Sequence, residues 1–208
     1  SAEVGARLLA AQDPSRSLVE RERETREAVV LARRLGDRHR LGFALRLLAR
    51  WLVTIDPAAN RSGAEAALGE AADVARSIGD PQEMARCHIM RAGLADELGT
   101  PGAAPAEFQA AIDNIEKLRD LQRDDLARAR FMTEWAFVYY RMSGHLLGRQ
   151  GDLDPQRLDL AFRTTERLRS RILLDLMDAS RAAAALSPQG DAGREHREVL
   201  DAIAGAQR

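Results

Sequence analysis

The chain has 208 residues, of which 45% are hydrophobic and 30% charged, while aromatic residues make up only 4%. The apolar content is mostly alanine and leucine, the residues most favourable in helices, so the composition predicts an all-helical protein of one sizeable domain or two small ones. Acidic and basic residues nearly cancel to a formal charge of −1, which argues against nucleic acid and membrane surfaces as partners.

A single cysteine, Cys87, excludes an internal disulfide framework and a zinc site built on several thiolates, and it is typical of a reducing compartment. The first residues include Glu3 and lack the basic and apolar regions of a signal peptide. No run of 18 apolar residues occurs anywhere in the sequence. We therefore expect a cytoplasmic protein without a membrane span.

Proline and glycine fall in clusters, and each cluster separates segments whose apolar residues recur every three or four positions. Residues 2–12 are predicted to form a short leading helix. The next helix, capped by Ser15 or Ser17, is predicted to end at Leu35. Its charged run, residues 20–24, is predicted to face solvent.

The rest of the chain continues the same pattern, and no window alternates with period two, so no strand is predicted. Further helices are predicted between Asp37 and Pro57, from Ala64 to Ile78, from Pro81 to about Leu98, from Pro105 to about Asp120, from Leu126 to Leu147, from Pro155 to about Leu186, and from Ala192 to Ala206. The helix over 126–147 is apolar nearly all round, which predicts neighbours on several sides. The helix after Pro155 is predicted to bury an apolar seam. The seam comprises Leu158, Phe162, Thr165, Leu168, Ile172, Leu176 and Ala179.

Residues 28–37 and 71–80 form an internal repeat, with five of ten positions identical at an offset of 43. Each copy ends in Gly-Asp. The glycine supplies a left-handed turn that ends one helix, and the aspartate caps the next. Residues 111–120 repeat the pattern weakly, with Arg119 in place of the glycine. The sequence therefore predicts one antiparallel helical hairpin that is used several times.

This hairpin resembles the tetratricopeptide (TPR) repeat over roughly residues 15–150, with small residues at the helix crossings and a turn with proline between units, as at 79–81. The offsets of 43 and 40 residues exceed the usual period of about 34, and the large aromatic expected early in each unit is missing or displaced. The resemblance implies an all-α fold of antiparallel hairpins stacked as an irregular TPR-like solenoid. A plain helical bundle with a duplicated hairpin is the alternative.

Residues 161–177, which read AFRTTERLRSRILLDLM, resemble the helix that ends the TPR region of proteins with a CHAT domain, a caspase-like peptidase module. In that family a polar helix rich in Glu and Arg follows, and residues 194–200 match it here. The resemblance implies TPR-like repeats over 1–150, then a long terminal helix and a polar capping helix over 151–208. These would lead toward a peptidase domain absent from this chain, and the catalytic histidine and cysteine would lie there.

No arrangement for catalysis, cofactor binding or metal binding is predicted within the chain. Cys87 and His88 are adjacent on a helix and point about 100° apart, which favours a buried cysteine over a nucleophile with its base. The four histidines lack the spacing of a helical metal pair. The glycines lack the lysine and the preceding strand of a phosphate-binding loop. We expect no enzymatic activity, no cofactor and no metal.

Of the 31 basic residues, all but Lys117 are arginines. Arginine forms two-pronged contacts with carboxylates, so arginines on the inner helices are candidates for binding an acidic peptide. For most arginines, ordinary solvated charge is the alternative. The candidates for partner binding are Arg46, Arg50, Arg86 and Arg128.

Aromatic residues concentrate in the helix over 126–147, where core packing is favoured and a ligand pocket is the alternative. They include Trp135, Phe137, Tyr139 and Tyr140. The sequence predicts a non-catalytic scaffold that binds a protein or peptide, namely the regulatory TPR region of a CHAT-type peptidase. The alternative function is a small-molecule or peptide sensor domain of a bacterial signalling protein, and the oligomeric state stays open.

Overall fold

The computed structural model describes residues 2–97, 103–148 and 154–186, which form eight α-helices and no strand. The helices are α1 (Ala2–Ala10), α2 (Leu18–Leu35), α3 (Arg38–Ile55), α4 (Arg61–Ile78), α5 (Pro81–Glu97), α6 (Ala104–Asp120), α7 (Asp125–Leu147) and α8 (Pro155–Leu186). The prediction of an all-helical protein is confirmed for these residues. The helix predicted over 192–206 lies outside them.

The helix ends follow from local capping chemistry. Of the two serines proposed to cap α2, Ser17 takes the role, and its side chain and that of Glu20 satisfy each other's backbone N–H groups in a capping box. Asp124 caps α7 by accepting the N–H of Ala127 at 2.7 Å. Within the described ranges, no helix combines the length and apolarity that crossing a bilayer demands.

The two copies of the repeat form the same turn. Gly36 and Gly79 have φ of +67° and +66°, so both adopt the left-handed conformation that glycine tolerates best. The N–H of the following aspartate, Asp37 or Asp80, donates to the carbonyl five residues earlier at 3.0 and 2.9 Å. The same aspartates accept the N–H three residues later at 3.1 and 2.9 Å. The predicted glycine turn and aspartate cap are confirmed at both sites.

Each helix packs against the helix that follows it, and α3 additionally contacts α1 and α5. Two hydrophobic cores result, one drawing on α1–α5 and one on α5–α8. Helix α5 belongs to both, since Cys87 and Leu94 lie in the first core and Ala85 and Ala92 in the second. The small side chains of Cys87, Ala85 and Ala92 let neighbouring helices approach closely. The terminal helix α8 shares the second core through Leu168.

Charged pairs connect helices that are two apart in the chain. Apolar side chains hold consecutive helices together, and in addition an arginine or histidine pairs with a carboxylate two helices away. The pairs are Arg33–Glu70 between α2 and α4, Arg46–Glu83 between α3 and α5, His145–Asp96 between α7 and α5, and Arg119–Asp175 between α6 and α8. These pairs bring side chains of alternate helices together.

The prediction of a fully solvated run over 20–24 is wrong at Glu24, which is buried. Its carboxylate accepts hydrogen bonds from Arg7 at 2.8 Å and from Arg16 at 3.3 Å. Helix α1 and the loop before α2 supply these partners, and no local pattern within α2 reveals them. A buried carboxylate is tolerated here because cations pair with it.

The apolar seam predicted for α8 is correct at Leu168, which is buried, and at Ile172, which packs against the second core, but the buried face is rotated relative to the prediction. Phe162 is 64% exposed and Leu158 and Leu176 are also exposed, whereas Ala161 and Asp175 are buried beside Leu168. The buried face therefore contains residues that are seven apart in the sequence, namely Ala161, Leu168 and Asp175. Its rotation suits the pairing of Asp175 with Arg119 on α6.

Candidate functional site

A groove opens between α3, α5 and α7 and has a volume of about 580 Å³. We call it the arginine groove, because arginines line one side of it, while a carboxylate and two aromatic rings line the other. These residues are Arg46 and Arg50 from α3, Arg86 from α5, and Glu134, Trp135 and Phe137 from α7. The structure thus brings together three of the four arginines predicted to bind a partner with two of the predicted aromatic residues.

Helical spacing explains why these side chains share one surface. Arg46 and Arg50 are four residues apart on α3, and Gln82 and Arg86 are four apart on α5, so each pair lies on one helix face. Ile89, the next residue on that face of α5, also lines the groove, together with Met90. The groove therefore combines guanidinium groups with an apolar surface.

Arg46 is fixed within the protein. Its side chain is only 14% exposed and forms an ion pair with Glu83 on α5, whose side chain is 9% exposed. The guanidinium also lies 5.1 Å from the centre of the Phe43 ring, a distance suited to a cation–π contact. Both contacts orient Arg46 along the wall, so it adds charge to the groove without a free side chain.

Arg50 and Arg86 are more accessible. Arg86 lies 3.9 Å from Glu83, at the outer limit of an ion pair, and its side chain is 41% exposed. The guanidinium of Arg50 lies 5.1 Å from the centre of the Trp51 ring, and no carboxylate in the described ranges is within ion-pair distance of it. Both guanidiniums can donate hydrogen bonds to a carboxylate of a ligand.

The opposite wall is aromatic. Trp135 is buried in the second core and also lines the groove, and Phe137 is 47% exposed. Their ring centres are 6.2 Å apart at an interplanar angle of 21°. Glu134 is exposed beside them. Sequence reasoning did not single out Glu134, Gln82, Ile89 or Met90, because only the approach of α5 to α7 gives them a common role.

Helix α7 has one open side, so the prediction that neighbours enclose it on several sides is wrong at Phe137 and Tyr140, which are both exposed. Met132 and Tyr139 are buried as predicted for core packing, and the Tyr139 hydroxyl donates to Glu116 at 3.0 Å. The neighbours of α7 leave Phe137 and Tyr140 uncovered, and Phe137 lines the groove.

Arg128, the fourth predicted arginine, does not reach the groove. It pairs with Asp125 in its own first helical turn, and its Nε lies 3.8 Å from the carboxylate of Asp175 on α8. The structure thus places it in a polar cluster among α6, α7 and α8.

Cys87 and His88 have different surroundings. Cys87 is fully buried in the first core, where burial and the nearby Glu83 raise the pKa of its thiol to about 12. His88 Nδ1 lies 2.7 Å from a carboxylate oxygen of Glu107 on α6. Among the residues that the structure describes, no three His, Cys, Asp or Glu side chains are arranged to hold a metal ion.

No protein-family model, curated protein or solved structure matches this chain. The likeness to TPR repeats and to the region before a CHAT domain therefore stays a prediction from the residues that carry it. What the arginine groove can bind follows from its own chemistry: three guanidiniums, two carboxylates counting Glu83, and an apolar surface contributed by α5 and α7.

Proposed function

We propose that the chain is a non-catalytic protein-interaction scaffold that binds a peptide segment of a partner protein in the arginine groove. The observation that carries this proposal is the groove itself, which combines accessible arginines on α3 and α5 with the half-exposed ring of Phe137 on α7. Exposed aromatic and arginine side chains are the residue types that contribute most to protein interfaces.

The proposal includes an irregular TPR-like solenoid as the architecture. Its support is the same glycine turn at Gly36 and Gly79, the packing of each helix on the next, and the ion pairs that connect α2 with α4 and α3 with α5. Stacked hairpins of this kind expose alternate helices on one extended surface. Helices α3, α5 and α7 would form that surface here.

We further propose that this scaffold is the regulatory region of a CHAT-type peptidase. The support is the sequence of residues 161–177, which lie in α8 and resemble the helix before such a domain. In this arrangement the scaffold binds the partner and the peptidase domain performs the chemistry. The sequence of the gene beyond Arg208 tests the arrangement, since a caspase-like domain must follow.

A small-molecule sensor is the second candidate. A volume of about 580 Å³ is within the range of small-molecule sites. Such sites bury most of their ligand, however, whereas Arg50, Gln82 and Phe137 are exposed. An open groove with exposed walls suits a peptide segment that contacts both walls, so the peptide is favoured.

Selection of peptides from a random dodecapeptide display library tests the proposal. We expect peptides that bind the full chain with saturation, and we expect Phe137→Ala to weaken their binding at least tenfold. Phe162→Ala is the matched control, because Phe162 is an equally large exposed ring on α8 and does not line the groove. It should change affinity less than twofold.

Two results would overturn the proposal. One is that the selected peptides bind Phe137→Ala and Phe162→Ala equally well. The other is that the melting temperature rises with pools of small metabolites and not with the selected peptides, which would favour the sensor. Circular dichroism of both variants verifies that each is folded.

A further inference from the structure

We propose that the arginine groove is polarised. Its α3 and α5 side binds an acidic residue of the peptide, and its α7 side binds an apolar residue. A second acidic residue beside the apolar one weakens binding. Arg50 and Arg86 bind the acid, Phe137 contacts the apolar side chain, and Glu134 repels the second acid. This inference rests on the proposed function and specifies the ligand of the same groove.

The first step concerns the balance of charge on the α3 and α5 side. Three guanidiniums lie there, and within the described ranges Glu83 is the carboxylate at ion-pair distance from two of them. Glu83 pairs closely with Arg46 and is 3.9 Å from Arg86. Arg50 has the Trp51 ring as its neighbour. This wall therefore has an excess of positive charge that a ligand carboxylate can neutralise.

The second step concerns which arginines are free to move. Arg46 is held between Glu83 and the Phe43 ring, so it is a positioning residue that fixes the electrostatic potential of the wall. Arg50 and Arg86 retain exposed guanidiniums. Arginine binds a carboxylate through two parallel N–H donors, an arrangement that an amide of the same shape cannot reproduce with equal strength.

The third step concerns the α7 side. Glu134 is exposed next to Trp135 and close in sequence to Phe137, and it has no cationic partner within ion-pair distance in the described ranges. A ligand carboxylate near Phe137 therefore meets a like charge. An apolar side chain meets the Phe137 ring and the flexible side chain of Met90, which adapts to different shapes.

The width of the groove limits the length of the recognised segment. Axes of packed helices lie about 8–10 Å apart, so a groove lined by the three helices α3, α5 and α7 extends over about 16–20 Å. An extended peptide covers about 3.3 Å per residue, so about five or six residues cross this width. The acidic and the apolar residue should therefore fall within one such segment.

The selected dodecapeptides provide the first readout. We expect them to share an Asp or Glu within about six residues of an aromatic or large aliphatic residue, with no acidic residue directly beside the latter. The tightest peptide is then synthesised with both ends blocked, and again with its acid replaced by the amide. Calorimetry should show at least tenfold weaker binding of the amide peptide to the wild-type chain.

Variants of the protein assign the effect to residues. Arg50→Gln and Arg86→Gln should each weaken the binding of the acidic peptide at least fivefold. They should change the binding of the amide peptide less than twofold. Arg76→Gln is the control, since Arg76 is an exposed arginine of α4 that pairs with Asp73. Glu134→Gln should improve the binding of a peptide with a second acid beside its apolar residue at least threefold, and leave the original peptide within twofold.

The outcomes separate this inference from the proposed function. If the selected peptides lack acidic residues but depend on Phe137, the scaffold stands and the polarity is overturned. Equal effects of Arg50→Gln and Arg76→Gln likewise overturn the polarity. If benzoate competes as strongly as the acidic peptide, the groove is a site for small carboxylates and the peptide ligand is overturned. If no peptide binds through Phe137, both proposals fail.

Discussion

Asp175 is an acidic residue buried in the packed face of α8. It is only 2% exposed, accepts a hydrogen bond from Arg119 Nε at 3.0 Å and a second from the same guanidinium, and lies 3.8 Å from Arg128. A buried carboxylate with such partners is stable, but removing it leaves a mostly buried guanidinium whose remaining close partner is the exposed carboxylate of Asp120, at 3.1 Å. The side chain of Arg119 is 12% exposed, so solvent compensates little.

We therefore expect Asp175→Ala to reduce the free energy of unfolding by about 3 kcal/mol. Asp178→Ala is the control, because Asp178 forms an exposed pair with Arg181 one turn later and such pairs contribute about 0–1 kcal/mol. Urea denaturation of both variants measures the difference. Equal destabilisation would show that the Asp175 pair contributes no more than a surface pair.

Cys87 is expected to be chemically inert in the folded protein. Burial in the first core, with Glu83 nearby, raises the pKa of its thiol to about 12, and the thiolate is the reactive form. At pH 8 a disulfide reagent such as dithionitrobenzoate should react with Cys87 only as fast as the protein unfolds. In 6 M guanidinium chloride, the reaction should be complete within seconds to minutes, and fast labelling without denaturant would contradict the burial.

At the scale of the element, the hairpin turn is the unit that the chain uses twice. Gly36 and Gly79 end α2 and α4 with nearly the same φ, and Asp37 and Asp80 begin the next helices. The weak third copy differs, because α6 ends at Asp120 without a left-handed residue and Arg119 is used for the pair with Asp175. Glycine is required only where the turn is left-handed.

Gly79→Val should therefore destabilise the protein by about 1–2 kcal/mol, since a β-branched residue is strained at φ of +66°. A Cβ at Gly79 would meet no atom within 4 Å, so the whole cost arises in the backbone. Gly69→Ala in α4 is the control, because it also has open space around it and has helical φ. It should stabilise by about 0.5–1 kcal/mol, and thermal denaturation compares the two.

The cap of α3 should make stability depend on pH. The hydrogen bond from the Arg40 guanidinium lowers the pKa of the Asp37 carboxyl from 3.8 to about 2. A lowered pKa stabilises the folded state above pH 4, and this contribution is lost as the pH falls from 4 to 2.

Asp37→Ala should reduce the free energy of unfolding by about 1 kcal/mol at pH 7, the usual effect of losing a cap. The difference from wild type should shrink between pH 4 and pH 2, as measured by urea denaturation across this range. Asp73→Ala, at an exposed pair with Arg76, should give a small effect throughout. A constant difference for Asp37→Ala would contradict the role of its charge.

For the molecule as a whole, the sequence predicted the ends of the helices, but it did not predict which face of α8 is buried or which side of α7 is open. Caps and turns such as Ser17 and Gly79 are local, so they can be read from neighbouring residues. The rotation of α8 and the open side of α7 depend on which helices pack beside them. Phe162 and Phe137 are therefore exposed although their spacing suggests a core.

The arginine groove could be predicted only in part for the same reason. Arg46, Arg50 and Arg86 were candidates because of their residue type, but Arg128 belonged to the same group and lies elsewhere. No local sequence pattern distinguishes an arginine with a free guanidinium from one whose guanidinium pairs with a carboxylate far away in the sequence. The contribution of Glu134 likewise depends on the approach of α7 to α5.

Because α5 packs into both cores and also lines the groove, a bound peptide should restrain both halves of the protein at once. Amide hydrogen exchange measured by mass spectrometry would then slow in α2 and α4 as well as in α6, although these helices do not line the groove. Protection that stops at α5 would instead mean that the two cores open independently. Helix α5, which the ligand contacts together with α3 and α7, would in this way link the ligand to helices that do not touch it.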